Sequence, residues 1–115
     1  MDEISPFAPS QVVEIRSGTM TEWTIDPKRY GFGGGAVDDL AGGPPAANAA
    51  AVMRVLRGEA NDASTAAVVL NAAAAFYVGG AVSSFDEGVE AARLAVSSGA
   101  GLVALDRLRV AFARR

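Results

Sequence analysis

The apolar positions of this chain fall into two regimes, an extended one up to about residue 30 and a helical one from Pro45 onward. In the first, Gln11-Val-Val-Glu-Ile-Arg16 and Thr19-Met-Thr-Glu-Trp-Thr-Ile25 are rich in β-branched and aromatic residues, as strands are. Ser17-Gly18 separates them and predicts a tight turn, hence an antiparallel hairpin. Pro6 and Pro9 are expected to hold the approach to the first strand extended. A lone hairpin is marginal in water, so this one must pack on something else. Asp26-Pro27 ends the second strand. A loop-rich connector over 31–44 follows, in which two glycine clusters bracket Val37-Asp-Asp-Leu40.

Four helices are predicted over 45–115. Pro44-Pro45 opens the first and Gly58 closes it, with Ala49, Val52, Met53 and Leu56 as its apolar face and Arg54 and Arg57 turned away. The second is capped by Asp62 and runs to Gly79-Gly80. It is apolar nearly all round, so burial on most sides is expected, by the other helices or by sequence outside this chain. Ser84-Phe-Asp-Glu87 is a capping box for the third, whose inner stripe is Phe85, Val89, Ala92 and Val96 and which stops at Ser98-Gly99. The fourth carries Leu102, Leu105, Leu108 and Phe112 on one face, Asp106 and Arg109 at surface-pair spacing, and a basic end suited to the helix dipole. The fold class is therefore α+β: an antiparallel hairpin followed by about four helices.

Composition narrows the chemistry. At 115 residues, half of them hydrophobic and a fifth charged, the chain fits one globular domain. A net charge of −3 argues against nucleic acid as a partner. The chain contains no cysteine and no histidine, which removes disulfides, thiolate metal sites, most zinc sites and the usual general base. Carboxylates, hydroxyls, Lys28, arginines, tyrosines or a hard metal ion are left for any catalysis. The acidic first residues do not resemble a signal peptide, and the apolar run from Ala66 to Val78 is too short to span a bilayer. A cytoplasmic protein without membrane contact is the expectation.

The adjacent carboxylates Asp2 and Glu3 stand out. Neighbouring acids repel, and their common uses are a hard cation, a positive ligand or plain solvent exposure. The glycine run Gly31-Phe-Gly-Gly-Gly35 reads as a turn rather than a phosphate loop, since no Lys-Ser/Thr follows it. Asn71 inside the apolar helix is either a satisfied core amide or a site residue, with the core amide favoured. Hairpin packing and loop anchoring account for Trp23 and Tyr30 without a stacked ligand. Ser5 is expected to orient the acidic segment through a backbone hydrogen bond.

Met1-Asp2-Glu3-Ile4-Ser5, Thr24-Ile25-Asp26-Pro27, Leu40-Ala-Gly-Gly43, Asn48-Ala49, Arg57-Gly58, Leu70-Asn71-Ala72-Ala73-Ala74, Gly88-Val89 and Ser98-Gly99 occur in this order along nearly the whole chain. In that ordered set the sequence resembles the C-terminal part of anthranilate phosphoribosyltransferase. The resemblance implies a fragment of the α/β catalytic domain of the nucleoside phosphorylase/phosphoribosyltransferase fold, spanning residues 1–115. It implies magnesium held by Asp2 and Glu3, with phosphoribosyl diphosphate and anthranilate as substrates in tryptophan biosynthesis. It also implies a homodimer for the complete family member.

The family's Gly-Thr-Gly-Gly-Asp loop, its Lys-His-Gly-Asn segment, its anthranilate-contacting arginine and its helical N-terminal domain have no counterpart here. Pro44 stands where an acidic residue commonly follows the two glycines, and Gly33-Gly34-Gly35 departs from the usual linker. The chain is thus expected to be a partial enzyme, begun at an internal methionine and inactive without the N-terminal half. Two alternatives stand beside it: a fragment of a pyrimidine nucleoside phosphorylase, and a small non-catalytic helical interaction domain.

Overall fold

The computed structural model describes residues 3–113. Two strands, β1 (Ser10–Arg16) and β2 (Thr19–Ile25), form one antiparallel sheet in which Val12 faces Trp23 and Ile15 faces Met20. Ser17 and Gly18 both have positive φ, 51° and 79°. This is the pattern of the two-residue turn whose twist matches that of the strands. Four helices follow: α1 (Pro45–Leu56), α2 (Asp62–Val78), α3 (Phe85–Ser97) and α4 (Ala100–Ala113). The hairpin, the connector and the four helices expected from the pattern are all present.

The core lies where α2, α3 and the inner face of the hairpin meet. Ile25, Val69, Leu70, Ala73, Phe85, Val89 and Ala92 are buried there, and Ile4, Val12 and Trp23 pack against them. The α2–α3 approach depends on Gly88: a Cβ at this position would lie 2.6 Å from the carbonyl oxygen of Ala73. Only the missing side chain lets the backbones come so near. Phe85 receives the edges of two rings, Trp23 at 5.6 Å and Tyr30 at 5.8 Å between centroids.

Several local expectations are corrected. Residues 1–30 are not extended throughout. Ser5 Oγ accepts the amides of Phe7 and Ala8, folding the chain into a turn at Pro6, and Pro27–Tyr30 is a turn of 3-10 helix capped by Asp26. Ser5 therefore shapes the segment after the acidic pair. The N-cap of α2 is Asn61, whose side chain accepts the Ser64 amide at 2.8 Å, with Asp62 in the first turn. Both residue types cap well, and the helix begins one position earlier than expected. At α3, Ser84 caps as expected, but Glu87 reaches back one residue further, to the amide and hydroxyl of Ser83.

The apolar faces of α1 and α4 are covered less than their pattern suggests. On α1 the buried residue is Val55, while Ala49 and Val52 are exposed. Met53 and Leu56 of the predicted stripe are half-buried, so cover is concentrated toward the C-terminal end of the helix, where Leu56 lies against Gly101 of α4. On α4 no described residue is buried, and Leu108 and Phe112 are 54% and 64% exposed. The expected Asp106–Arg109 pair is present at 3.3 Å, whereas the basic end, Arg114-Arg115, lies outside the described residues. Helix α2 buries Ala63, Ala66, Val69, Leu70 and Ala73, half-buries most of its other residues, and leaves Asp62, Val68, Ala75 and Val78 exposed.

Candidate functional site

Of the acidic pair, Asp2 lies outside the described residues; Glu3 lies within them and is exposed. The next residue is anchored. Asn71, on α2, accepts the Ile4 amide on Oδ1 at 3.0 Å and donates Nδ2 to the Ile4 carbonyl at 3.2 Å and to the Ala67 carbonyl at 2.8 Å. One primary amide thus satisfies both backbone groups of Ile4, as a neighbouring strand would. The network also determines its orientation, since the oxygen must face the single N–H and the nitrogen the two carbonyls. Among the described residues no buried side-chain nitrogen or oxygen lacks a partner. Asn71 is thus the satisfied amide expected of it, and its partner is the segment that carries Glu3.

A second asparagine repeats the device. Asn48 accepts the Gly43 amide at 2.8 Å and donates to the Gly43 carbonyl at 2.9 Å, closing the two-glycine loop onto α1. In the glycine run 31–35, the Gly31 and Phe32 amides donate to the Lys28 and Pro27 carbonyls. Just after the run, Asp39 Oδ2 accepts the Ala36 amide at 2.7 Å.

Trp23 and Tyr30 are structural. Trp23 Nε1 donates to Glu14 at 3.2 Å, and Glu14 also accepts the Tyr77 hydroxyl and pairs with Arg16. The Tyr30 hydroxyl donates to Asp86 at 2.6 Å, beside the Arg29–Asp86 ion pair at 2.7 Å. Burial, then the Asp86 carboxylate, pushes the Tyr30 phenol up to about 12. Arg93 stacks on Phe32 at 4.4 Å and donates to the Tyr30 carbonyl. Glu14, Trp23, Arg29, Tyr30, Tyr77 and Asp86 line an open cleft of about 310 Å³ between the hairpin and the start of α3, and each of them is paired within the chain.

No group of three or more His, Cys, Asp or Glu among the described residues could hold a metal ion. The donors at the acidic segment are carboxylate oxygens only. Such a set suits a hard cation that keeps waters and takes its other ligands from a phosphate. It does not suit an all-protein cage.

The sequence profile of the glycosyl transferase family, a/b domain, matches residues 1–102. The chain belongs to this family. It is 43% identical over 107 residues to the anthranilate phosphoribosyltransferase of Rubrobacter xylanophilus, covering 93% of this chain and 31% of that protein. To anthranilate phosphoribosyltransferase 2 of Streptomyces coelicolor it is 44% identical over 110 residues, with 93% and 32% covered. The crystal structure of the Thermus thermophilus anthranilate phosphoribosyltransferase superposes with a TM-score of 0.83 at 36% identity, covering all of this chain and 33% of that one. The chain therefore spans about a third of the relatives it matches.

The resemblance carried by the ordered motifs is borne out, as is the α+β fragment architecture. Membership of a transferase family favours it over the stand-alone interaction domain. Several motifs that carried the likeness prove to be backbone devices. Asn48 and Asn71 clamp loops, Gly88 admits α2, and Arg57-Gly58 ends α1 with the Glu59 amide bonded back to the Arg54 carbonyl. Sequence reasoning did not single out Gly88 or Asn48 as individuals. The signal that could have found Gly88 is a glycine inside an otherwise regular helical stripe.

Proposed function

We propose that this chain is the C-terminal part of the catalytic domain of an anthranilate phosphoribosyltransferase, residues 1–115 forming one partial domain. In the complete enzyme the 5-phosphoribosyl group would pass from phosphoribosyl diphosphate to the amine of anthranilate, with release of diphosphate. The observation that carries this reading is the agreement of fold and sequence with a solved anthranilate phosphoribosyltransferase over the whole chain. Asp2 and Glu3 would hold magnesium, and the hard-oxygen chemistry of that segment supports the assignment. When bound, the ion would neutralise charge on the diphosphate leaving group.

The chain's own contribution is to hold the carboxylate of Glu3 at a fixed place beside α2, through Ile4 and Asn71. The substrate contacts and the homodimer interface belong to the rest of the enzyme, and the 115-residue chain alone is inactive. A cytoplasmic location is part of the same proposal. No single described helix is long and apolar enough to cross a membrane.

The test is a transferase assay with magnesium and both substrates, on the chain alone and on the chain combined with the remaining two-thirds of the Rubrobacter relative. No turnover above a trace is expected from the chain alone. The combination should regain activity and lose on the order of a hundredfold of it in Glu3→Ala, several kcal/mol of charge stabilisation being at stake. Turnover by the chain alone, or an active combination indifferent to Glu3→Ala, defeats the proposal.

A further inference from the structure

Among the described residues, one side chain anchors the acidic segment to the helical core: Asn71, 67 residues from its partner Ile4. Glu3 itself is exposed, Ile4 is half-buried against the core, and Pro6 is among the most completely buried side chains. Between the exposed acid and the buried proline, the chain is held by the two hydrogen bonds between Ile4 and Asn71, one donated by each residue. The Ser5 amide adds only a local tie, to Ser10 Oγ at 3.1 Å. Asn71 in turn is held by its own helix through the Ala67 carbonyl, so its amide cannot rotate without losing a bond.

We propose that Asn71 is a positioning residue for the carboxylate segment. It holds Ile4 as a strand partner would, and so sets the place from which Glu3 meets its cation. This rests on the metal role proposed above for Glu3. The chemistry is specific to a primary amide at this length. Aspartate would keep the acceptor for the Ile4 amide but turn a second oxygen toward two carbonyl oxygens. Leucine would match the volume and leave both backbone groups of Ile4 unpaired. Glutamine would displace the amide by one methylene.

The experiment uses the 115-residue chain with Mn²⁺ as the probe. Amide hydrogen exchange is read at Ile4 and, as a control on the fold, at Val89 in the middle of α3. In Asn71→Ala the Ile4 amide should exchange about tenfold or more faster while Val89 keeps its protection. Mn²⁺ affinity and the broadening of Glu3 signals by Mn²⁺ should fall severalfold, which loss of packing alone would not cause. Asn71→Asp should weaken the Ile4 anchor at least as much as Asn71→Ala.

Unchanged Ile4 exchange with Val89 still protected overturns the proposal, as does unchanged Mn²⁺ affinity. Should Asn71→Ala unfold α3, Ile4→Pro removes the Ile4 amide from the other side with α2 intact. Full retention of Mn²⁺ affinity in that variant overturns it too. A wild-type chain whose Glu3 signals are not broadened by Mn²⁺ even with diphosphate present to complete the coordination defeats the metal role of Glu3, and Ile4 exchange then decides the anchor by itself.

Discussion

The seam between α2 and α3 and the outer pair α1 and α4 draw on the same residues, chiefly alanine, valine and leucine, yet they are held very differently. At the seam, Leu70 and Ala73 are fully buried, Val69 and Val89 nearly so, and a glycine lets the two backbones touch. In the outer pair one residue of α1 is buried and none of α4, and Val52, Val103, Leu108, Val110 and Phe112 are each more than half exposed. Apolar side chains contribute to stability only when removed from water, at about 25 cal/mol per Å². Stability is therefore concentrated in the seam and the hairpin that caps it. The outer helices depend on their own hydrogen bonds and a few contacts.

The whole molecule reflects this division. Its accessible surface is 7591 Å², against about 5,900 Å² for a folded monomer of its mass. Its radius of gyration is 15.3 Å, against about 13 Å for a compact domain of this length. Both departures agree with outer helices whose apolar faces are left uncovered within this chain.

The sharpest way to break this contrast is a matched pair of truncations. Leu70→Ala should cost about 2–5 kcal/mol of stability, while Leu108→Ala should stay within about 0.5 kcal/mol; chemical denaturation measures both. Equal losses at the two sites would refute the division. A somewhat smaller effect is expected at the helix contact itself. Gly88→Ala places a methyl 2.6 Å from a backbone oxygen, and a net loss of about 1–2 kcal/mol should remain after the gain in helix propensity. A stabilised Gly88→Ala variant would mean that α2 and α3 can slide apart freely.

The weakest expected effect lies at the hairpin edge of the seam and is read by pH. Tyr30 carries its proton more tightly in the folded chain, about 12 against an ordinary 10.0. Its contribution to stability is therefore complete below pH 10 and is lost as pH rises from 10 through about 12. Absorbance of tyrosinate should show late ionisation, since Tyr77 is also raised, chiefly by its hydrogen bond to Glu14. In Asp86→Asn the Tyr30 value should move down without returning to 10, because burial, the larger cause, remains. Full return would show that the seam does not desolvate this ring.

Much of the architecture was legible from local signals. Ser17-Gly18, Pro45, Gly58, Ser84 and Gly99 punctuate the chain where elements begin and end, because caps and turns are decided within a few residues. Less legible was which side of a helix is covered: Val52 and Leu108 sit on regular apolar stripes, yet stand in water. A stripe records where a partner belongs, whether or not that partner is in the same chain.

The order of strands and helices, the absence of nitrogen and sulfur metal ligands, and the family likeness all came from sequence alone, since each rests on residue identity or short spacing. Only the tertiary structure decided that Asn71 grips Ile4 and that Gly88 meets Ala73. Both pairings join residues on different segments of the chain. Such contacts form only after chain closure has been offset by burial elsewhere, so no local pattern announces them.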